Sequence, residues 1–113
     1  MKIYRANLQS TNVNGNISIE TIEFENTLGN VIWNKVIDNT GQLEGVLDGA
    51  FPENKVWFNA LTPKCLNYYG GGGEWTRLNN DKVLIQLYDP SGNIANDVLD
   101  GNGVISVLII VKE

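Results

Sequence analysis

The chain has 113 residues, of which 42% are hydrophobic and 19% charged, and its formal net charge is -5. These values exclude a disordered chain and fit one globular domain over residues 1–113 with its own apolar core. An acidic domain without a basic cluster repels a phosphate backbone, so we expect no nucleic-acid binding.

Neither end of the chain carries a secretion or membrane signal. Residues Met1–Ser10 lack the apolar central region and the small-residue cleavage site of a signal peptide. The longest apolar run, Val107–Val111, is far shorter than the roughly 20 residues that span a bilayer. We therefore expect synthesis in the cytoplasm and no membrane association.

Short apolar segments alternate with turn signals along the whole chain. The predicted strands, in chain order, are Lys2–Leu8, Ile17–Phe24, Val31–Val36, Gln42–Leu47, Lys55–Leu61, Glu74–Leu78, Lys82–Tyr88 and Val104–Lys112. The glycine, asparagine, aspartate and proline residues between them favour turns. This spacing is typical of a sandwich or a small barrel, and we expect an all-β single β-sandwich, jelly-roll or Ig-like, of about eight antiparallel strands.

Two of these segments predict how their side chains are divided between faces. In Lys82–Tyr88, strict alternation places Val83, Ile85 and Leu87 on one face. Val104–Lys112 is apolar on both faces and rich in β-branched residues. That pattern favours a central strand covered on both sides, or covered on one side by a partner chain.

Two connections have features of their own. Ile94–Leu99 has some helical character but is too short for an independent helix, so we expect a single turn or an irregular bridge. Four consecutive glycines, Gly70–Gly73, offer maximal backbone freedom and no side chain to pack. They predict a mobile loop tip, or a surface that another backbone or a ligand approaches closely.

No motif points to a metal, a cofactor or catalysis. The acidic run Asp89–Asp100 resembles a calcium loop in spacing, but Ile94 occupies the position where that loop needs glycine. The single cysteine, Cys65, has no histidine to activate it anywhere in the chain, which favours a small buried hydrophobic role over a nucleophilic one. We therefore expect no cofactor, no metal and no enzymatic activity.

The aromatic residues are candidates for the core and for an interface. Trp33 lies inside a predicted strand and is expected in the core. Trp57 and Phe58 are adjacent, so on a strand they face opposite ways and one of them is exposed or covered by another layer. We expect the exposed face of Lys55–Leu61 to take part in an interface.

A second aromatic group brackets the glycine run and has three interpretations. Tyr68, Tyr69 and Trp75 can form a sugar-stacking platform, supply anchors of a protein interface, or cap one end of the sandwich. In the sugar-binding interpretation, hydrogen bonds come from Asn67, Asn79 and Asn80.

Several residues have a structural interpretation. Leu28 and Gly29 lie in a turn that reverses one strand into the next, and Gly45 inside a strand predicts a bulge or a close backbone approach. Gly49 begins a corner that places the ring of Phe51 on the end of the core. We expect these residues to determine the fold rather than to bind a partner.

Two segments carry a resemblance to a known family. Asn26–Trp33 matches the pattern N-T-L-G-x-x-x-W, and Gly41–Phe51 matches G-x-L-x-G-x-L-x-G-A-F. Together with the two apolar strands near the C-terminus, these resemble small all-β accessory virion proteins of tailed bacteriophages. The resemblance implies a capsid decoration or head-fibre subunit in the virion. Such a subunit contacts capsid proteins and forms a homo-oligomer, for which a trimer is one candidate.

These observations leave more than one functional class open. The favoured expectation is a phage structural protein that acts by protein–protein contact. The alternative is a carbohydrate-binding module that recognises a surface glycan, and a small enzyme is the residual class. The candidate interface or ligand residues are Trp57, Phe58, Tyr68, Tyr69 and Trp75.

Overall fold

The computed structural model describes residues 1–60 and 72–113, so Cys65, Asn67, Tyr68 and Tyr69 lie outside the described residues. The elements are β1 (Lys2–Val13), β2 (Asn16–Asn26), β3 (Ile32–Lys35), β4 (Gln42–Val46), β5 (Val56–Ala60), β6 (Gly72–Arg77), β7 (Lys82–Tyr88), α1 (Asp97–Asp100) and β8 (Val104–Val111). Each predicted strand is present, which confirms the all-β prediction.

Two four-stranded antiparallel sheets pack against each other and confirm the predicted sandwich. The first sheet has the order β2-β1-β8-β5 and the second has the order β3-β4-β7-β6. Aliphatic and aromatic side chains from both sheets fill the space between them. No helix among the described residues is long and apolar enough to cross a membrane.

The central strands alternate as their sequences predict. On β7, Val83, Ile85 and Leu87 are fully buried between the sheets. On β8, Ile105 and its inward-facing neighbours are buried, while the alternate residues are only half-buried. Because β8 lies between β1 and β5, it occupies the central position that its apolar sequence indicates.

Trp33 lies between the sheets and is 4% exposed. Its Nε1 donates a hydrogen bond of 3.0 Å to the hydroxyl oxygen of Tyr4, which lies on the other sheet. The ring lies directly on Gly45, where a Cβ atom would come within 2.7 Å of Trp33 Cζ3. Gly45 therefore provides the space that the indole occupies, a close approach to a glycine inside a strand.

Two corners link the sheets. In the first, Asn26 Oδ1 accepts hydrogen bonds from the backbone N–H groups of Leu28 at 3.0 Å and Gly29 at 2.9 Å. This arrangement reverses β2 into β3, and Leu28 packs against the core. In the second, Gly49 has a positive φ of 66°, and Phe51 follows with its ring fully buried.

The prediction of a mobile loop tip at Gly70–Gly73 is wrong for Gly72 and Gly73. Gly72 and Gly73 belong to β6 and pair with Tyr88 and Leu87 of β7. A glycine needs no side chain to join a ladder, because the neighbouring strand supplies the backbone hydrogen bonds. The other two glycines lie outside the described residues.

β1 continues to Val13, beyond the predicted end at Leu8. Apolar alternation stops there because the next inward-facing residue is Ser10, which is 1% exposed. Its hydroxyl donates a hydrogen bond of 2.6 Å to the backbone carbonyl of Leu99 in α1. The single helical turn, which was expected from Ile94–Leu99, is thereby attached to the first sheet.

Candidate protein interface on the outer face of the first sheet

The first sheet presents one face to the second sheet and the opposite face to solvent. We call the solvent-facing side the outer face of the first sheet. The cross-strand pairs and the burial of the alternate residues define it. Its central residues are Ile3, Arg5, Asn7, Ile22, Phe24, Trp57, Asn59, Ser106, Leu108 and Ile110.

The side chains of the outer face form rows across the strands. In the first row, Ile110 pairs with Ile3 on one side and Trp57 on the other. Trp57 is 54% exposed, so about half of its surface faces solvent on β5. In the middle row, Leu108 lies between Arg5 and Asn59. The apolar first row and Leu108 form an apolar strip, which Arg5 and Asn59 flank in the middle row.

The adjacent aromatic residues of β5 point in opposite directions. Phe58 is directed into the sandwich, where its ring stacks on Trp75 with centroids 4.7 Å apart. Trp75 in turn meets the edge of Trp33 with centroids 6.1 Å apart. Phe58 and Trp75 thus line the interior, and Trp57 is the member of the adjacent pair that faces solvent.

An irregularity in β2 brings a further aromatic ring to this face. Arg5 pairs with Glu25 and Ala6 pairs with Glu23, which leaves Phe24 as an extra residue in a bulge. Phe24 is 57% exposed, and the Arg5 guanidinium carbon lies 5.8 Å from its ring centroid. This cation–π contact orients both side chains beside the middle row.

A shallow groove lies on the other side of the middle row. Its volume is about 380 Å³, and short side chains from β1 and β8 form its floor. There the Ser106 hydroxyl donates a hydrogen bond of 2.6 Å to Asn7 Oδ1. Phe24 and Leu108 contribute the larger apolar walls. The outer face therefore combines a half-exposed indole with a recess.

Charged residues divide the margins of this face into two regions. Glu20 and Glu25 lie on the exposed β2 edge. At the diagonally opposite corner, Lys55 and Lys112 are exposed just beyond the ends of β5 and β8, and the Lys112 N–H donates a hydrogen bond to the Lys55 carbonyl at 2.8 Å. The outer face consequently has an acidic edge and a basic corner.

The solvent-facing side of the second sheet has a different character. Gln42 Nε2 donates a hydrogen bond of 2.9 Å to Gln86 Oε1 across the strands. Lys82 Nζ lies 3.9 Å from Glu44 Oε2 in a cross-strand ion pair. Polar groups on this side are thus paired with one another, whereas the outer face of the first sheet carries the apolar row of Ile3, Ile110 and Trp57.

The residues of the carbohydrate interpretation do not converge within the described residues. Asn79 Oδ1 accepts the Asp81 N–H at 2.8 Å, and Asn80 Oδ1 accepts a hydrogen bond from the Arg77 guanidinium. Trp75 Nε1 is buried and has no hydrogen-bond partner among residues 1–60 and 72–113. The two asparagine side chains therefore stabilise the local turn. The Trp75 ring lies against Phe58.

The first residue of the acidic run after β7 stabilises the turn that follows that strand. Asp89 Oδ1 accepts the N–H groups of Ser91 and Asn93, each at 2.9 Å. In the part of the chain that the structure describes, no group of three or more histidine, cysteine or acidic side chains is placed to hold a metal ion.

The sequence pattern required one of Trp57 and Phe58 to face outward without deciding between them, and it did not point to Arg5, Phe24 or the groove. The two-sided apolar pattern of β8 is the signal that points to this face, since Leu108 and Ile110 are the residues that leave its second side apolar. Comparison with protein family models, curated proteins and solved structures found no match. The outer face of the first sheet is the candidate protein interface among the described residues.

Proposed function

We propose that the protein is a structural subunit that acts by protein–protein contact through the outer face of the first sheet. The observation that carries this proposal is the apolar strip that ends in the exposed Trp57. Contiguous apolar surface of this kind marks interaction sites in proteins. Tryptophan and arginine are also the residues most enriched at the energetic centres of interfaces.

The proposed setting is the virion of a tailed bacteriophage, as a capsid decoration or head-fibre subunit. The resemblance of Asn26–Trp33 and Gly41–Phe51 to accessory virion proteins supports this setting. The residues of that resemblance build the corners and the Trp33 contact of the sandwich, so they maintain the scaffold that presents the outer face. Contacts with other virion proteins would then bury that face.

The energetic centre of the contact is Trp57, which is 54% exposed and flanked by Ile110. Truncating such an aromatic anchor typically costs about 2 kcal/mol or more of binding free energy. Glutamate at this position is more disruptive than alanine, because it would place an unpaired charge in a desolvated contact.

The test is to ask whether the protein is present in purified particles, and which face holds it there. We expect particle imaging and immunodetection to find the wild-type protein on virions and to show Trp57→Glu depleted. Ile32→Glu is the matched control, because Ile32 is 50% exposed on the second sheet. Absence of the wild-type protein from virions, or retention of Trp57→Glu at the wild-type level, would contradict the proposal.

A further inference from the structure

We propose that the open edge of β2 binds one extended, basic segment of another protein, which joins the first sheet as an additional strand. This edge lies at the side of the sandwich and is separate from the outer face, so the inference goes beyond the proposed function. The direction of the β2 backbone groups, a groove beside the strand and the charge of the edge support it.

The backbone of β1 determines which groups of β2 point away from the sheet. β2 is the terminal strand of the first sheet, and β1 is its neighbour. The Ser10 N–H donates a hydrogen bond of 2.9 Å to the Gly103 carbonyl, on the β8 side of β1. Because the backbone groups of successive strand residues point to opposite sides, those of Gln9 are directed to β2, where Gln9 pairs with Glu20. The backbone groups of Glu20 are thus directed to β1.

The residues that alternate with Glu20 are directed outward. The N–H and C=O groups of Ile17, Ile19 and Thr21 point to the open edge of β2. Among residues 1–60 and 72–113, no strand occupies this edge. A row of such groups is a template on which another strand can form backbone hydrogen bonds. From the start of β2 to the bulge at Phe24, the template is about eight residues or roughly 27 Å long.

A groove beside the first part of this edge gives room for the side chains of an added strand. Its volume is about 750 Å³, and its walls are formed by Asn16 and Ile17 of β2 and by residues 34–38 of the second sheet. β3 has four residues and β2 has 11, so β3 covers only part of the inward-facing side of β2. Ile17 and Ile19 are half-buried there, and Ile37 in the opposite wall is 82% exposed. Apolar side chains on the inner face of an added strand would complete this packing.

The charge of the edge selects a basic partner. β2 contains no lysine or arginine, and its three glutamates, Glu20, Glu23 and Glu25, are exposed. Asp38 adds an exposed carboxylate in the wall of the groove, whereas the Lys35 ammonium group donates its hydrogen bonds to carbonyls of its own segment. Lysine or arginine side chains on the added strand would therefore lie beside unlike charges.

The same charges argue against a second copy of this chain at the edge. Antiparallel pairing of two β2 strands would bring the glutamates of one strand beside those of the other, and like charges on neighbouring strands are destabilising. Charged edge strands limit edge-to-edge association in natural β-sheet proteins for this reason. A basic segment meets the same edge without that repulsion.

The first test adds a capped eight-residue peptide in which lysine and valine alternate to the full chain. In nuclear magnetic resonance experiments we expect this peptide to slow the amide exchange of Ile17, Ile19 and Thr21. Ser18 and Glu20 should exchange slowly even without peptide, because their N–H groups are directed to β1. The same peptide N-methylated at every residue keeps its charge but has no backbone donors. Its dissociation constant should be at least about tenfold higher.

The second test reverses the charge of the edge. Glu20→Lys should raise the dissociation constant of the lysine–valine peptide by about tenfold at low ionic strength, because an attraction becomes a repulsion. The same variant should bind a glutamate–valine peptide about tenfold more tightly than the wild-type chain does. Trp57→Glu, on the outer face, is the control and should leave both dissociation constants within about twofold of the wild-type values. Circular dichroism of each variant checks that the sandwich is folded.

The third test examines the groove. Ile37→Ser should raise the dissociation constant of the lysine–valine peptide by about fivefold, because the valine side chains would bury the isoleucine. Leu78→Ser is the matched control and should have no effect on binding. Leu78 is 48% exposed in the turn after β6, which lies at the opposite edge of the second sheet from β3.

Three results would each overturn the inference. The first is a wild-type chain that does not bind the lysine–valine peptide at millimolar concentration, or that binds the N-methylated peptide equally well. The second is slowed exchange at amides other than those of the β2 edge. The third is protection of that edge without peptide that disappears on dilution, because a second copy would then occupy it. None of these results concerns the outer face, so a virion that loses Trp57→Glu would still support the proposed function.

Discussion

Trp33 and Tyr4 join the two sheets of the sandwich through a hydrogen bond buried in the core. The Trp33 Nε1 to Tyr4 hydroxyl distance is 3.0 Å, and the ring centroids lie 6.3 Å apart. Both residues are buried. Removal of the Tyr4 hydroxyl would therefore leave the Trp33 N–H without its acceptor, and solvent cannot replace it.

Tyr4→Phe should therefore lower the free energy of unfolding by about 1–3 kcal/mol, the cost of a buried group that loses its partner. Urea denaturation followed by far-ultraviolet circular dichroism measures this change. Tyr88→Phe is the control, because the Tyr88 hydroxyl bonds the exposed Glu74 carboxylate, and it should shift the value by no more than about 0.5 kcal/mol. Equal effects of the two substitutions would contradict the assignment.

The same tyrosine predicts how stability changes at alkaline pH. Burial raises the pKa of Tyr4, and nearby Glu23 raises it further, while the hydrogen bond from Trp33 opposes them. An unfolded tyrosine loses its proton near pH 10, whereas folded Tyr4 retains it to higher pH. Tyr4 therefore favours the folded state below about pH 10, and this contribution is lost as the pH rises through the folded pKa.

Urea denaturation between about pH 8 and about pH 11 measures this contribution. In the wild type, Tyr4 should lower the free energy of unfolding by up to about 1.4 kcal/mol per pH unit, beyond the change that other groups cause. Tyr4→Phe should remove that component. Tyr88 also has a raised pKa, through its hydrogen bond with Glu74, but it is solvent-screened, so Tyr88→Phe should change the slope less. An unaltered slope in Tyr4→Phe would count against this explanation.

Gly45→Ala tests the close approach of Trp33. The added methyl group would lie 2.7 Å from Cζ3 of that ring, and overpacking of this kind typically costs about 1–3 kcal/mol. The contacted atoms belong to the six-membered part of the indole, which Trp33→Phe removes. The alanine should consequently cost less in the Trp33→Phe background, and a double-mutant cycle that shows simple additivity would refute the contact.

Ser10→Ala tests the attachment of α1. The hydroxyl is the buried donor to the Leu99 carbonyl, so its loss should cost about 1–3 kcal/mol. We expect amide exchange to accelerate first in α1, because that turn depends on the bond. Ser18→Ala on the exposed edge of β2 is the matched control and should leave exchange in α1 at the wild-type rate.

Local sequence patterns predicted the strands well where their alternation is regular. Val83, Ile85 and Leu87 revealed the inward face of β7, and Gly45 marked a close approach from its position inside a strand. The second half of β1 was missed because Ser10 interrupts the apolar alternation. Ser10 faces the core because its hydroxyl donates a hydrogen bond to the carbonyl of Leu99, which is distant in the sequence. A local sequence pattern does not reveal that hydrogen-bond partner.

The candidate interface was predictable only in part. The adjacency of Trp57 and Phe58 required one of them to face outward, but alternation does not say which one. Phe24 reaches the outer face through a bulge, and bulges follow from the register between strands rather than from the sequence of one strand. The roles of Tyr68 and Tyr69 remain predictions.

The order of strands in the first sheet also governs when the protein can fold during its synthesis. β1 is synthesised before the other strands of the sandwich, yet one of its two neighbours is β8, the last of these strands in chain order. Until translation passes Val111, the central edge of β1 has no partner, and apolar residues such as Leu8 remain uncovered. The first sheet is therefore completed only once β8 has been synthesised, and until then the uncovered edge of β1 is a site at which chains can aggregate.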